Sequence, residues 1–276
     1  MPADLSAMYY QGSPGAFSEA AILSYWPSAE PRGLSTFKEV FRVLVDDPDA
    51  VGLLPIENAY RGPVYDVLDL LTGLPLSIWA EVVQPVELAL MAYGHNDISR
   101  IRRVRSHHQA LMQSRRFCEE HGFVVEVALD TAGSAEDLVE SREADRAVIA
   151  SPRAAGIYGL QIIDTGIQDH PDNRTRFWLI SQSSMELVSP LGRTKSTIIF
   201  DVPDEPGALV SYLDCYRRIG LNLSKVESRP RPGVSFAYRF WIDVIGEPKV
   251  LDGAWEEGEA HVEWARRLGV YPVISE

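Results

Sequence analysis

Five groups of small or neutral polar residues stand where an apolar run gives way to an amphipathic stretch: Gly12-Ser13-Pro14-Gly15, Glu57-Asn58, Ser106-His107-His108-Gln109, Asp130-Thr131-Ala132 and Ser151. If each run is a strand and each stretch a helix, these turns gather at one edge of a sheet. Free backbone N–H groups and positive helix ends then face a cleft and bind an anion without Lys or Arg. Ser, Thr, Asp and Asn are equally the ordinary N-caps of any α/β protein. Other chemistries lack their residues. The six histidines, at 95, 107, 108, 121, 170 and 261, fit no metal-ligand spacing, and Cys118 and Cys215 cannot complete a zinc site. No GxGxxG, P-loop or GxSxG segment occurs, which argues against dinucleotide, nucleotide and serine-hydrolase chemistry. A net charge of −13 disfavours nucleic acid and anionic membranes as partners.

The elements that must position these turns follow from the alternation itself. Ala7 to Tyr10, Val51 to Leu54, the residues around Val104, VVEVAL and AVIA are short apolar runs, each followed by a helical stretch. That order predicts an α/β protein with parallel sheets. Residues 77–94 read instead as extended, with Pro85 in the middle, and predict a crossover to a second lobe. The segment 161–181 carries the chain back, with ligand expected between the lobes. Past a boundary near residue 190 the pattern becomes strand, helix, strand, strand, helix, strand. The helices are expected over PDEPGALVSYLDCYRRIG, with Pro206 in the first turn, and around Trp255 to Leu268. This order predicts a small ferredoxin-like domain over 191–276. Most of the acidity falls before that boundary. With 276 residues, 46% of them hydrophobic, the chain is long enough for two domains. The absence of an 18-residue apolar stretch and of a signal-peptide pattern at MPADLSAMYYQGSPG predicts a cytosolic location and two reduced cysteines.

The segments YYQGSPGAFSEAA, LLPIENAYRGPVYDVLDLL, SHHQALMQSRRF and NRTRFWLI, in this order, resemble the prephenate dehydratases. PGALVSYLDCYRRIGLNLSKVESRP resembles the GAL and ESRP motifs of their regulatory ACT domain. The resemblance implies a two-lobed periplasmic-binding-protein-like catalytic domain over 1–190 and an ACT domain over 191–276. It implies conversion of prephenate to phenylpyruvate, CO2 and water without a cofactor or metal.

It makes Thr175 the hydrogen-bond donor to the departing hydroxyl. Asn58 and Gln109 are then amide donors to substrate oxygens, and Glu57 is either an acid raised by burial or an orienting ion-pair partner. Ser106 and Thr131 become carboxylate binders or N-caps. Arg176 pairs with a substrate carboxylate or with a structural acid, and Phe177 is a pocket wall. It further implies feedback by L-phenylalanine held by Gly207, Ala208, Leu209, Asn222, Glu227, Ser228 and Arg229, in a homodimer or homotetramer. Two departures stand out: Ala59 follows PIEN where the family commonly has Ser, and His108 replaces the proline of SHPQ. Arogenate dehydratase and a catalytically silent amino-acid or aromatic-acid binding protein on the same scaffold are the alternative readings.

Overall fold

The computed structural model describes residues 7–128, 131–183 and 191–275. The first lobe opens with β1 (Ala7–Gln11), α1 (Phe17–Tyr25), β2 (Glu30–Leu34), α2 (Phe37–Asp46), β3 (Val51–Asn58), β4 (Gly62–Pro63), α3 (Tyr65–Thr72) and β5 (Ser77–Pro85). Helix α2 forms where it does because Thr36 and Glu39 make a reciprocal capping box, and Val40, Phe41 and Leu44 then give it one apolar face. The second lobe holds β6 (Ala89–Ala92), β7 (Arg103–His107), α4 (His108–Gln113), α5 (Arg115–Glu120), β8 (Val124–Ala128), α6 (Thr131–Ser141), β9 (Arg146–Ala150), α7 (Pro152–Tyr158) and β10 (Gln161–Thr165). The chain returns to the first lobe as β11 (Arg174–Ser181).

The first sheet has the order β2-β1-β3-β11-β5 with β4 beside β3, and the second has β10-β6-β9-β7-β8. The two lobes and the double crossing are the periplasmic-binding-protein-like architecture. Neither sheet is wholly parallel, however. Strands β1, β2 and β3 run parallel, as do β7, β8 and β9, but β11 lies antiparallel to β3 and β5, and β6 antiparallel to β9 and β10. A chain that leaves a lobe and comes back must enter it in the opposite sense, so the crossing strands break the parallel pattern. No helix among the described residues is long and apolar enough to span a membrane.

The third sheet, β13-β14-β12-β15, comprises β12 (Thr194–Asp201), β13 (Asn222–Pro230), β14 (Tyr238–Ile245) and β15 (Trp264–Pro272), with α8 (Ala208–Arg218) and α9 (Pro248–Gly258) on one face. This is the ferredoxin-like order. The expected boundary near residue 190 lies outside the described residues. Two expected elements are displaced. Pro206 lies in the turn before α8 rather than inside it. The helix expected around Trp255 to Leu268 ends at Gly258, and Trp264 onward is strand, paired with β12 from Trp264↔Asp201 to Pro272↔Thr194. Gly258, the last residue of the helix, packs against Tyr212, and the pairing of WARRLGVYP with β12 overrides its helical propensity.

The other face of this sheet packs on the first lobe. Trp178 of β11 stacks on Trp241 and meets Tyr271 edge-on, and these join Ile78, Ile180, Ile199 and Leu268 in one buried cluster. Strand β15 crosses β5 so closely that a Cβ on Gly269 would collide with the carbonyl oxygen of Ile78. Beyond it Ile274 N–H donates to the carbonyl of Glu81 at 2.8 Å. Both cysteines are free and buried.

Candidate active site

Strand β3 ends beside the start of β11, with Thr175 opposite Asn58 in register. The chain turns sharply after Asn58, whose Oδ1 accepts from the N–H groups of Tyr60 and Arg61, both at 3.1 Å. Two N–H donors on that atom fix the amide orientation, so Nδ2 faces the other way. It donates to Asn173 Oδ1 at 2.8 Å, to the carbonyl of Arg174 at 3.0 Å and to Thr175 Oγ1 at 3.0 Å. The Asn58 amide is therefore consumed by its own surroundings, where the sequence suggested a donor to substrate. Its effect is on Thr175: the hydroxyl oxygen already accepts, which leaves the O–H to donate. Asn173 is 2% exposed, and the preceding His170 stacks on Tyr60 with ring centroids 4.1 Å apart. The crossing segment is also tied to the second lobe, through Asp169 N–H to the carbonyl of Gln113 and Arg116 N–H to Asp169 Oδ1.

The remaining candidates separate into three positions. Glu57 and Arg176, paired in register one step along, turn away from Thr175 toward the third sheet, with Arg176 Nη1 3.1 Å from Glu57 Oε2. Burial alone would lower the Arg176 guanidinium, but Glu81, Asp243 and Glu57 outweigh it and hold its pKa above the ordinary value. Arg176 thus meets structural acids. Phe177 lies in the core with Met8, Tyr10 and Ile22 rather than lining a cleft.

On the second lobe, Ser106 is fully buried and donates to the carbonyl of Ile149 at 2.5 Å, which occupies its hydroxyl. Gln109 and His108 are exposed in the first turn of α4, and His107 Nδ1 accepts from Gln109 N–H at 3.3 Å. Thr131 is the half-buried first residue of α6, while Asp130 lies outside the described residues.

The lobes touch at the first turn. Ser151 Oγ caps α7 by accepting from Ala154 N–H and donates to the carbonyl of Gly15 at 2.6 Å. Tyr158 O–H donates to the carbonyl of Pro14, and Arg153 pairs with Glu19 at 3.0 Å. Gly15, at φ +90°, is close enough to Ala154 that a Cβ would stand 3.1 Å from its Cα. Among the described residues no group of three or more His, Cys, Asp or Glu is placed to hold a metal ion.

In the third sheet, Gly207 at φ +87° precedes α8, so Ala208 and Leu209 open that helix; Asn222 and Ser228 are exposed on β13. Glu227 and Arg229 instead meet α3. Tyr65 O–H donates to Glu227 at 3.2 Å, and Arg229 makes two hydrogen bonds to Asp69, at 3.0 and 2.6 Å, with its guanidinium 4.0 Å from the Tyr65 ring centroid. The residues that sequence reasoning missed are Asn173, Glu81, Lys195 and Asp243. The two that carried a signal were Asn173, two positions before Thr175, and Glu81, a lone charge inside the apolar run SIWAEVVQP.

Known proteins resemble this chain over most of its length. The family model described as prephenate dehydratase matches residues 8–185. A bifunctional chorismate mutase/prephenate dehydratase of Aquifex aeolicus is 33% identical over 268 residues, covering 95% of this chain and 72% of that protein. Arogenate dehydratase/prephenate dehydratase 2 of Arabidopsis thaliana is 35% identical over 282 residues, covering 96% of this chain and 72% of its own. Among solved structures, the prephenate dehydratase of Arthrobacter aurescens in complex with L-Phe superposes with a TM-score of 0.87 at 30% identity, covering 96% of this chain and 89% of that one.

Proposed function

The chain belongs to the prephenate dehydratase family, and on that footing we propose that it converts prephenate to phenylpyruvate, CO2 and water with Thr175 as the donor to the departing oxygen. In this elimination the C–C bond to the ring carboxylate breaks. Its electron pair enters the ring, and the hydroxyl leaves the opposite carbon as hydroxide, which takes a proton from solvent to become water. Electrons balance within one molecule, so aromatisation drives the step without an external oxidant or reductant. The site must bind a dianion, hold it in orientation and donate a hydrogen bond to the leaving oxygen. The observation that carries the reading is the Asn58–Thr175 pair, in which the threonine oxygen accepts at 3.0 Å and its proton is left over. We assign the substrate carboxylates to the amide-rich starts of α4 and α6, with Gln109 and Thr131.

The ferredoxin-like region, 191–276 by the sequence boundary, serves as an ACT-type regulatory domain. Phenylalanine binds where Gly207, Ala208 and Leu209 open α8, near Asn222 and Ser228, in a homodimer or homotetramer. Support comes from the motifs of this segment and from the L-Phe complex of the Arthrobacter relative. Effector binding acts only by preferring one arrangement over another. Glu227 and Arg229, which meet α3, carry that preference to the catalytic part. The test is a turnover assay of the purified protein with prephenate and with arogenate, each with and without phenylalanine. Phenylpyruvate release from prephenate, reduced by phenylalanine, is expected; faster turnover of arogenate reassigns the substrate, and no product from either overturns the reading.

A further inference from the structure

Two of the three acceptors around Asn58 Nδ2 are side chains at the start of the returning strand, Asn173 Oδ1 at 2.8 Å and Thr175 Oγ1 at 3.0 Å. One fixed donor therefore orients both residues. Because Oδ1 is the accepting end of the Asn173 amide, its Nδ2 points away from Asn58. That nitrogen has no hydrogen-bond partner among the described residues. Asn173 is nevertheless only 2% exposed, a setting in which an unpartnered amide is rare. Its backbone is held at both ends: the N–H donates to the carbonyl of His170 at 3.2 Å, and the carbonyl accepts from Val86 N–H at 2.8 Å. A fixed, nearly buried amide with two protons to give is a preorganised donor for a group that the chain itself does not supply.

What it serves follows from the direction in which charge moves. In the elimination the ring carboxylate loses its charge as CO2 forms, and the opposite oxygen gains charge as it departs. A donor on the carboxylate would hold the reactant more tightly than the transition state, whereas a donor on the departing oxygen lowers the barrier. Asn173 shares its anchor with Thr175, so the two groups lie on one side of the strand start.

We propose that Asn173 is a second catalytic residue, whose Nδ2 donates to the departing oxygen beside the Thr175 hydroxyl, while Asn58 is the positioning residue that sets the pair. This rests on the elimination and on the role given above to Thr175. Prephenate and arogenate lose the same hydroxyl, so the two donors serve either one.

Asn173→Asp tests the proposal. The carboxylate keeps the oxygen that accepts from Asn58 and puts an acceptor where the donor stood. Acid restores a donor, because with one oxygen accepting from Asn58 the proton goes to the other. The assay uses the full chain, whichever of prephenate and arogenate the wild type turns over, and subtraction of the uncatalysed rate. At about pH 8, kcat is expected to fall about 10²-fold or more, while KM moves by less than about threefold. The ratio of variant to wild type then rises about tenfold toward about pH 5, as the buried carboxyl begins to protonate. Arg61, His170, Asp172 and Arg174, the charged groups of the two segments that meet here, are common to both proteins and cancel in that ratio.

A ratio that stays flat with pH marks a structural role and overturns the proposal, as does a variant within about threefold of the wild-type rate. A slow, acid-recovering Asn173→Asp beside a Thr175→Val protein at full rate overturns the assignment of Thr175 alone. Turnover of neither substrate by the wild type overturns both. If Asn173→Asp does not fold, NMR of the Thr175→Val protein with isotopically labelled asparagine carries the test. The Asn173 side-chain amide protons are expected to move downfield when the substrate is added, and unmoved signals overturn the proposal.

Discussion

Thr175→Val separates chemistry from folding more cleanly than any other substitution in the site. Valine keeps the shape and β-branching suited to β11, and only the hydroxyl is removed. Asn58 Nδ2 loses one of its three acceptors but retains Asn173 Oδ1 and the carbonyl of Arg174, so neither of its two protons is orphaned. The stability cost is then one hydrogen bond with compensation, at most about 1 kcal/mol. The catalytic cost is the loss of a donor aimed at the developing oxyanion, worth about 2.7–4 kcal/mol or 10²–10³ in kcat. The assay is phenylpyruvate formation at saturating prephenate, with a urea titration of each variant. Thr175→Ser, which restores the hydroxyl, is expected within about tenfold of wild type. A Thr175→Val protein within threefold of the wild-type rate refutes the assignment, as does one that loses rate and stability in equal measure.

Ending the chain near residue 190 uncovers Trp178, Ile180 and Ile78 and removes Lys195 from Glu81. At about 1.5–3 kcal/mol per large apolar side chain, the loss of these three alone is comparable with the net stability of a domain. The truncated protein is expected to lack a cooperative thermal transition, and a soluble, sharply melting fragment with full turnover contradicts this. Stability is also expected to decline at alkaline pH. Burial raises the phenols of Tyr10, Tyr212 and Tyr271 above their ordinary value of 10.0, and pushes Tyr216 up to about 12. Below pH 10 these groups are protonated in both states and their contribution is intact. Above it the unfolded chain releases protons that the folded chain keeps, and stability falls by about 1.4 kcal/mol per pH unit per phenol. Denaturant midpoints that stay level between pH 9 and 11 contradict the assignment.

The alternation of apolar runs and capped helices made the two lobes legible, because each unit is local: Thr36 with Glu39, or Ser151 with Pro152, announces a helix within four residues. The crossing at Pro85 and the ferredoxin-like order were legible for the same reason. What escaped was long-range. Which face of β11 met which partner depends on pairing with β3, more than 110 positions earlier, and on a third sheet whose charges come from separate strands. Periodicity shows that Thr175 and Arg176 point apart, but not that the arginine's side is covered by protein. The strand at Trp264 was hidden because Ala265, Arg266, Arg267 and Leu268 suit a helix, and only the partner β12 decides otherwise. The sequence leaves Asn58 looking like a free donor because nothing local shows that its amide is occupied by Asn173 and the residues after it.

The interleaving of β15 with β5 has a consequence for biosynthesis. A ribosome releases the first lobe's strands well before Trp264 to Ser275, the stretch that lies over Ile78 and hydrogen-bonds to Glu81 and Val83. From the synthesis of Trp178 until that stretch emerges, the nascent chain therefore carries a bare tryptophan-bearing surface, which the stretch later helps to seal.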